Sequence, residues 1–378
     1  MKSPIRLSGL VIAVVAAAIA AAVPAQAASN GDGATGQAVF VQTNALEGNA
    51  IAAYHRNGDG TLSYLTSYPT GGLGGRENGA GTDPLASQGS LMLVRDAGLL
   101  LAVNAGSDTI SVFTVNGEQL QLTQVLASGG SFPTGFAVHG DLVYVQNGGG
   151  QGSVSGFRIA GAKLHPIEGS TRTLLLGNTP NPFFLASTAE VGFTPDGVHL
   201  IVTTKTHGTV DVFSVGPDGR LSAAPVKNPA AGPVPFAFLF DGAGRLILNF
   251  AGTSSLEAFT VNADNTITPV GAAVSDTQAA LCWATPAAGY IYTSNTGSGD
   301  VSQFRLAADG SIVLVNAVAA SGIPGVTDSA PAGGQFLYVQ SGTSSSVHVF
   351  GIGAGGTLTR VQIAAVPDGD DQEGIAVE

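Results

Sequence analysis

The sequence predicts an all-β fold: a seven-bladed β-propeller of four-stranded antiparallel blades, the first blade closed by the C-terminal strand. Three observations carry this. Residues 192–221, GFTPDGVHLIVTTKTHGTVDVFSVGPDGRL, read as short strands broken by turns. Pro followed by Asp-Gly suits a tight bend, and the Val, Ile, Thr and Phe between the turns favour strands. Second, a polar or Gly-rich stretch followed by an aromatic recurs seven times, at Asn44…Tyr54, Asn104…Phe113, Asn147…Phe157, Thr204…Phe213, Asn249…Phe259, Asn295…Phe304 and Ser341…Phe350. The aromatics lie 59, 44, 56, 46, 45 and 46 residues apart, and a period near 45 with four strands per unit marks a propeller. Third, the first copy lacks an inner strand, while residues 373–378 (EGIAVE) form a spare apolar run behind the seventh. Supplying that run to the first blade removes the two free edges of an open array.

In chain order, residues 1–27 read as a signal peptide. Lys2 and Arg6 give a basic start, an apolar Ala-rich run follows, and Ala25-Gln26-Ala27 after Pro24 is a small-x-small cleavage box, placing the cut before Ala28. Residues 28–37 read as a mobile leader and 38–378 as the propeller. No later run is apolar and long enough to span a membrane. The chain has 14 Lys+Arg against 26 Asp+Glu, and loss of Lys2 and Arg6 takes the net charge from −12 to −14. That acidity excludes nucleic acid and anionic membrane surfaces as natural partners, and a soluble monomer is expected. Cys282 is the single cysteine, so no intrachain disulfide forms.

Copy one places strands at 38–43, 50–55 and 62–68. Residues 69–89 (PTGGLGGRENGAGTDPLASQG), carrying Arg76, Glu77 and Asp83, read as a flexible insertion. Copies two and three follow, the latter with a fourth strand near 163–166. A second insertion at 169–187 carries Arg172 and a Pro-rich stretch unsuited to a ladder. In the fourth copy the last strand is expected from about Leu221. Copies four to seven are almost free of insertions, and uneven loops on a regular ring are candidates for a working face.

Familiar catalytic spacings are missing: there is no His-x-x-x-His pair, phosphate-cradling loop, nucleophile elbow or cysteine cluster. The six histidines are scattered. Glu190, Asp328 and Glu373 each fall at or near the start of an inner strand, where three carboxylates could converge on the channel mouth to hold a hard cation or act on a ligand. The acid run 368–373 lacks the twelve-residue spacing of an EF-hand, so no metal site is assigned, and the cofactor is left open. Cys282-Trp283, in an inner strand, read as core.

The repeated PDG turn, the Val/Ile-rich strand after it, the TVDVFSVGPDGRL ending and closure from the C-terminus resemble the lactonase-family seven-bladed propellers, of 6-phosphogluconolactonase and carboxymuconate-cyclase type. The resemblance spans nearly all of the mature chain. It implies a His-x-His-Ser segment, an Arg-His pair and a Glu after a second-strand Asn. Here those positions carry Ser187, Ala189 and Glu190, then Val234 and Pro235, then Phe250. Val, Pro and Phe can neither activate water nor hold an oxyanion. Two functions follow as expectations. One is an exported propeller binding a small polar ligand or partner at the channel mouth, with Arg76, Asp328 and Glu373 as ligand-binding residues. The other is a lactone hydrolase or cyclase with a relocated site, in which Glu190 is the general base and Arg172 the oxyanion or carboxylate anchor.

Overall fold

The computed structural model describes Met1 and residues 37–378, and its strands form seven antiparallel sheets, each with the expected four-stranded order; blades three and five add a two-residue fifth strand, Arg172–Thr173 and Val274–Ser275. From blade one to blade seven the inner strands are Ile375–Val377, Leu91–Val94, Pro133–His139, Val191–Phe193, Pro235–Phe240, Leu281–Ala287 and Val326–Ala332. Blade one is closed from the C-terminus: Val377, Ala376 and Ile375 pair with Val39, Phe40 and Val41. The cleavage box and residues 28–36 lie outside the described residues. Among the described residues no helix is long and apolar enough to cross a membrane.

The recurring aromatic has a packing role that explains its period. Each sits on the third strand of its blade, no more than 2% exposed, in the apolar seam shared with the preceding blade. Phe113 packs with Phe40 and Ile51 of blade one, Phe213 with Tyr144 of blade three and Phe350 with Tyr292 of blade six. Tyr54 performs the same task across the closure, among Ala330, Val347 and Val349 of blade seven, and its hydroxyl donates to Ala365 O at 2.8 Å. Burying an aromatic at each seam removes 150–250 Å² from water, so the repeat in the sequence is the repeat of inter-blade adhesion. Second-strand tyrosines tie the seams from the other side, donating to a turn of the next blade: Tyr144 to Gly219 O, Tyr292 to Gly356 O and Tyr338 to Gly60 O, at 2.7–2.9 Å.

Two expectations need correction. The last strand of blade four is Val226–Pro229, with only a bridge at Val215–Leu221 before it; Leu221 turns into the seam with blade three, and Pro225 has no N–H for a ladder. The first insertion is not a flexible loop. Glu77, Leu85, Ala86 and Ser87 are at most 1% exposed, because the segment packs down into the ring and finds partners there. It also zips to the second insertion: Asn78 N donates to Pro182 O at 2.8 Å and Phe184 N to Asn78 O at 3.1 Å.

Candidate functional site

The connections between blades and the turns between second and third strands lie on one face of the ring. Both insertions rise there. From that face, residues 83–90 of the first insertion enter the channel as a plug. The Gln88 amide donates to Ala189 O in blade four at 2.9 Å, and Ser87 Oγ donates to Thr134 O in blade three at 2.8 Å. The Trp283 indole of blade six donates to Ser87 O at 3.3 Å, and Ser90 Oγ donates to Glu373 O at 3.0 Å. The plug is thus pinned to four blades, and it divides the channel.

On the insertion side lies a pocket of about 370 Å³, at the small end of the 300–1,000 Å³ typical of ligand sites. Its walls come from the plug (Asp83, Ala86), the second insertion (Phe184, Leu185), blade five (Phe236, Ala251) and blade six (Cys282, Thr296). Apolar atoms make up most of that lining, and no Lys or Arg is part of it. On the far side is a narrow cavity of about 60 Å³ lined by Glu190, Asp328 and Gln88, room for about four waters at roughly 15 Å³ each.

Of the three carboxylates expected to converge, the structure brings Glu190 and Asp328 to that narrow cavity and sets Glu373 against the plug. Glu190 Oε2 accepts the Phe238 amide at 2.5 Å; burial drives its carboxyl well above the usual range, and the neighbouring Asp328 adds to this. Asp328 Oδ1 accepts the Ser329 amide at 2.8 Å, and burial pushes this group to about 7. Glu373 accepts the Leu85 amide at 2.7 Å and the Ser87 amide at 3.3 Å. Its carboxyl also hydrogen-bonds Asp83; burial raises both groups, and the bond to Glu373 opposes the rise in Asp83. The two carboxyls therefore share one buried site, in which ionisation of one disfavours ionisation of the other. Gly374 makes this reach feasible. It stands at φ +102°, and a Cβ there would lie 2.5 Å from Ser90 Oγ, so only glycine fits.

Arg76 pairs with Asp371 and donates to Ala80 O and Gly81 O at 3.1 and 2.8 Å, tying the first insertion to the acid run. Arg172 is elsewhere. Its two-residue strand pairs with the third strand of blade three, and its guanidinium donates to Ser222 O and Leu221 O at 2.8 Å. The structure does not bring it to Glu190. Among the described residues no group of three or more His, Cys, Asp or Glu side chains is placed to hold a metal ion.

Two residues that shape the site were not singled out from the sequence. Lys205, fully buried, donates to Ala86 O at 2.8 Å and stands 3.4 Å from Glu77 Oε2, behind the Phe236 ring. It is the cation beside the plug acids, lowering both Glu77 and Asp83, yet burial outweighs it and Glu77 is pushed to about 8. Asp83 itself was noted only as part of an insertion. A signal for Lys205 does exist. Eight residues before the repeat aromatic, copies two to seven carry Ala105, Gly149, Lys205, Ala251, Thr296 and Gly342; one lysine among small neutral residues marks a departure from the blade pattern.

No family profile matches the sequence, and no curated protein does. Solved structures do. The periplasmic gluconolactonase of Pseudomonas aeruginosa matches with TM-score 0.71 at 19% identity, over 90% of this chain and 99% of its own. A Lactobacillus plantarum protein gives 0.68 at 19% identity, over 88% of this chain and 98% of its own. A Bacteroides uniformis protein provisionally described as a 6-phosphogluconolactonase gives 0.67 at 16% identity, over 90% and 99%. At these identities the likeness establishes the fold. This chain has the fold of those structures, two of which are described as lactonases, as the resemblance in its sequence implied.

Proposed function

We propose that this chain is an exported propeller of lactonase type that binds a small, neutral, largely apolar organic molecule, with an alkyl or aryl lactone as the favoured class, in the pocket above the plug. The observation that carries this is the lining of the 370 Å³ pocket: mostly apolar walls, Asp83 and Cys282 as its ionisable side chains, and no cation. An anionic ligand would enter beside Asp83 with no Lys or Arg in the lining to meet it, since nearby Lys205 is spent on Ala86 O and Glu77. A sugar lactone would leave most of its hydroxyls facing apolar walls, each costing about 1–3 kcal/mol when unpaired. The lactone class itself is supported by the fold shared with the Pseudomonas aeruginosa enzyme.

Calorimetry tests this with δ-alkyl lactones, gluconolactone and a sugar-phosphate lactone, on the wild type and on Ala251→Phe, which fills the pocket. Saturable binding of the alkyl lactones that disappears in A251F is expected. Preference for the phosphorylated lactone, or binding unaffected by A251F, would overturn the reading. Export is tested by intact mass: secreted protein should begin at Ala28, and soluble protein retaining Lys2 and Arg6 would reject it.

A further inference from the structure

We propose that the far half of the channel, beneath the plug, is a binding site for a small primary ammonium ion, held by the carboxylates of Glu190 and Asp328 with its short alkyl chain along the apolar wall. The inference concerns the narrow cavity and is independent of the lactone reading. Glu190 carries it. Its side chain lines the cavity and is 9% exposed. Its hydrogen bond to the Phe238 amide uses Oε2, which leaves Oε1 without a donor on the cavity side. Asp328, 6% exposed, reaches the same cavity from blade seven, with the Ser329 amide on Oδ1. No Lys, Arg or His belongs to this lining. Elsewhere buried acids have a cation: Glu77 has Lys205, and Asp211 has Lys227. Two buried carboxylates on one cavity without such a partner make a site that a bound cation would neutralise.

The rest of the lining selects the kind of cation. Inner strands run from the insertion face toward the far face. Glu190 and Asp328 come early in that direction, while Phe193, Phe240, Pro286 and Pro331 of the same lining come later. An apolar collar therefore stands between the carboxylates and the far face. The Phe238 ring lies beside Glu190 because residue 192 is glycine, where a Cβ would fall 2.7 Å from that ring. Calcium takes six to eight oxygen ligands and suits such a collar poorly. A primary ammonium offers three donors to the carboxylates, and its alkyl stem packs on apolar walls. Room for about four waters matches one nitrogen and about three carbons.

The charged groups that act on this pair are each other and, through the plug, Asp83, which itself hydrogen-bonds Glu373 and faces Lys205. Burial first, and the neighbouring acids second, keep protons on Glu190 and Asp328. An entering ammonium favours their ionised forms and displaces those protons, so binding strengthens as pH rises.

The test is calorimetry with n-propylammonium chloride, n-propanol and calcium chloride on the full chain. Saturable propylammonium binding at pH 7.5 is expected, with Kd at least about tenfold weaker at pH 5.5 and proton release visible as a buffer-dependent heat. Propanol should not bind. Glu190→Gln and Asp328→Asn, shown by melting curves to be folded, should each weaken the amine at least about tenfold, whereas Ala251→Phe, which fills the other pocket, should bind it as wild type does. The wild-type pH dependence and the propanol comparison do not depend on either variant folding. No saturable amine binding to wild type overturns the inference. Equal binding of propanol, preference for calcium over the amine, affinity that does not rise with pH, or binding kept in both folded variants overturns it equally.

Discussion

Glu373 Oε2 accepts the Leu85 amide at 2.7 Å, and that one bond joins the strand that closes the ring to the loop that closes the channel. Glu373 immediately precedes Gly374 and the closing strand Ile375–Val377, while Leu85 lies in the plug. Ring closure and site formation are therefore one structural event. Damage at the C-terminus should be felt at the pocket, 286 residues earlier in sequence for the Ser87 contact.

Deleting residues 373–378 reopens blade one and frees the plug together. The urea midpoint of the truncated chain should fall far more than six surface residues would justify. Glu373→Ala isolates the plug term: two buried amides lose their acceptor, at about 1–3 kcal/mol each. Equal midpoints for the truncated and full chains would show that this strand is not the closing element.

Lys205→Met should destabilise by about 3 kcal/mol, because Asp83 and Glu77 then face a buried site without their cation. The loss should be larger at about pH 8.5 than at about pH 6, since ionised acids suffer most and removing Lys205 raises Glu77 above its already elevated value. Thermal melts at both values check this. A K205M protein equally stable at both would mean that Lys205 does not compensate these acids.

Stability of the wild type should fall as pH rises from about 5 to about 8.5. Glu77 at about 8 and Asp328 at about 7 are raised above their unfolded values, and Glu190 and Glu373 shift the same way. Groups of this sign hold protons in the folded state that the unfolded chain has released, so their contribution is complete below about pH 4 and is lost on passing the folded values. His348, lowered to about 4 by burial, opposes them: its contribution is present above about pH 6.5 and lost as pH falls toward 4. The melting temperature should accordingly peak on the mildly acidic side, and a maximum above pH 8 would contradict the assigned directions.

The ring was legible in the sequence because its determinants repeat. Seven aromatics from Tyr54 to Phe350 serve seven equivalent seams, so each copy confirms the others, and the unpaired run at 373–378 had one sensible place to go. Glu190, Asp328 and Glu373 were legible as inner-strand carboxylates for the same reason. The plug was not. The insertion that carries it, rich in Gly with a single Asp-Pro, has the composition of a loop, and the order of the plug comes from partners in four blades that no local pattern encodes. Arg172 shows the converse: a cation on a long insertion looks free to fold over the mouth, yet its own short strand pairs with the third strand of blade three, and backbone carbonyls of Leu221 and Ser222 take its donors.

Trp283 offers the most direct test that the plug-floored pocket is the working site. It is the single tryptophan of the chain, fully buried, packed edge-on against the pocket-lining Phe236 with ring centroids 5.4 Å apart and hydrogen-bonded to the plug through Ser87 O. Its fluorescence is therefore a site-specific reporter. Titrating δ-alkyl lactones should shift its emission saturably, with the same midpoint that calorimetry gives, and the shift should vanish in A251F. Calorimetric binding that leaves Trp283 emission unchanged, or a shift that persists with the pocket filled, would place the ligand elsewhere and contradict the assignment.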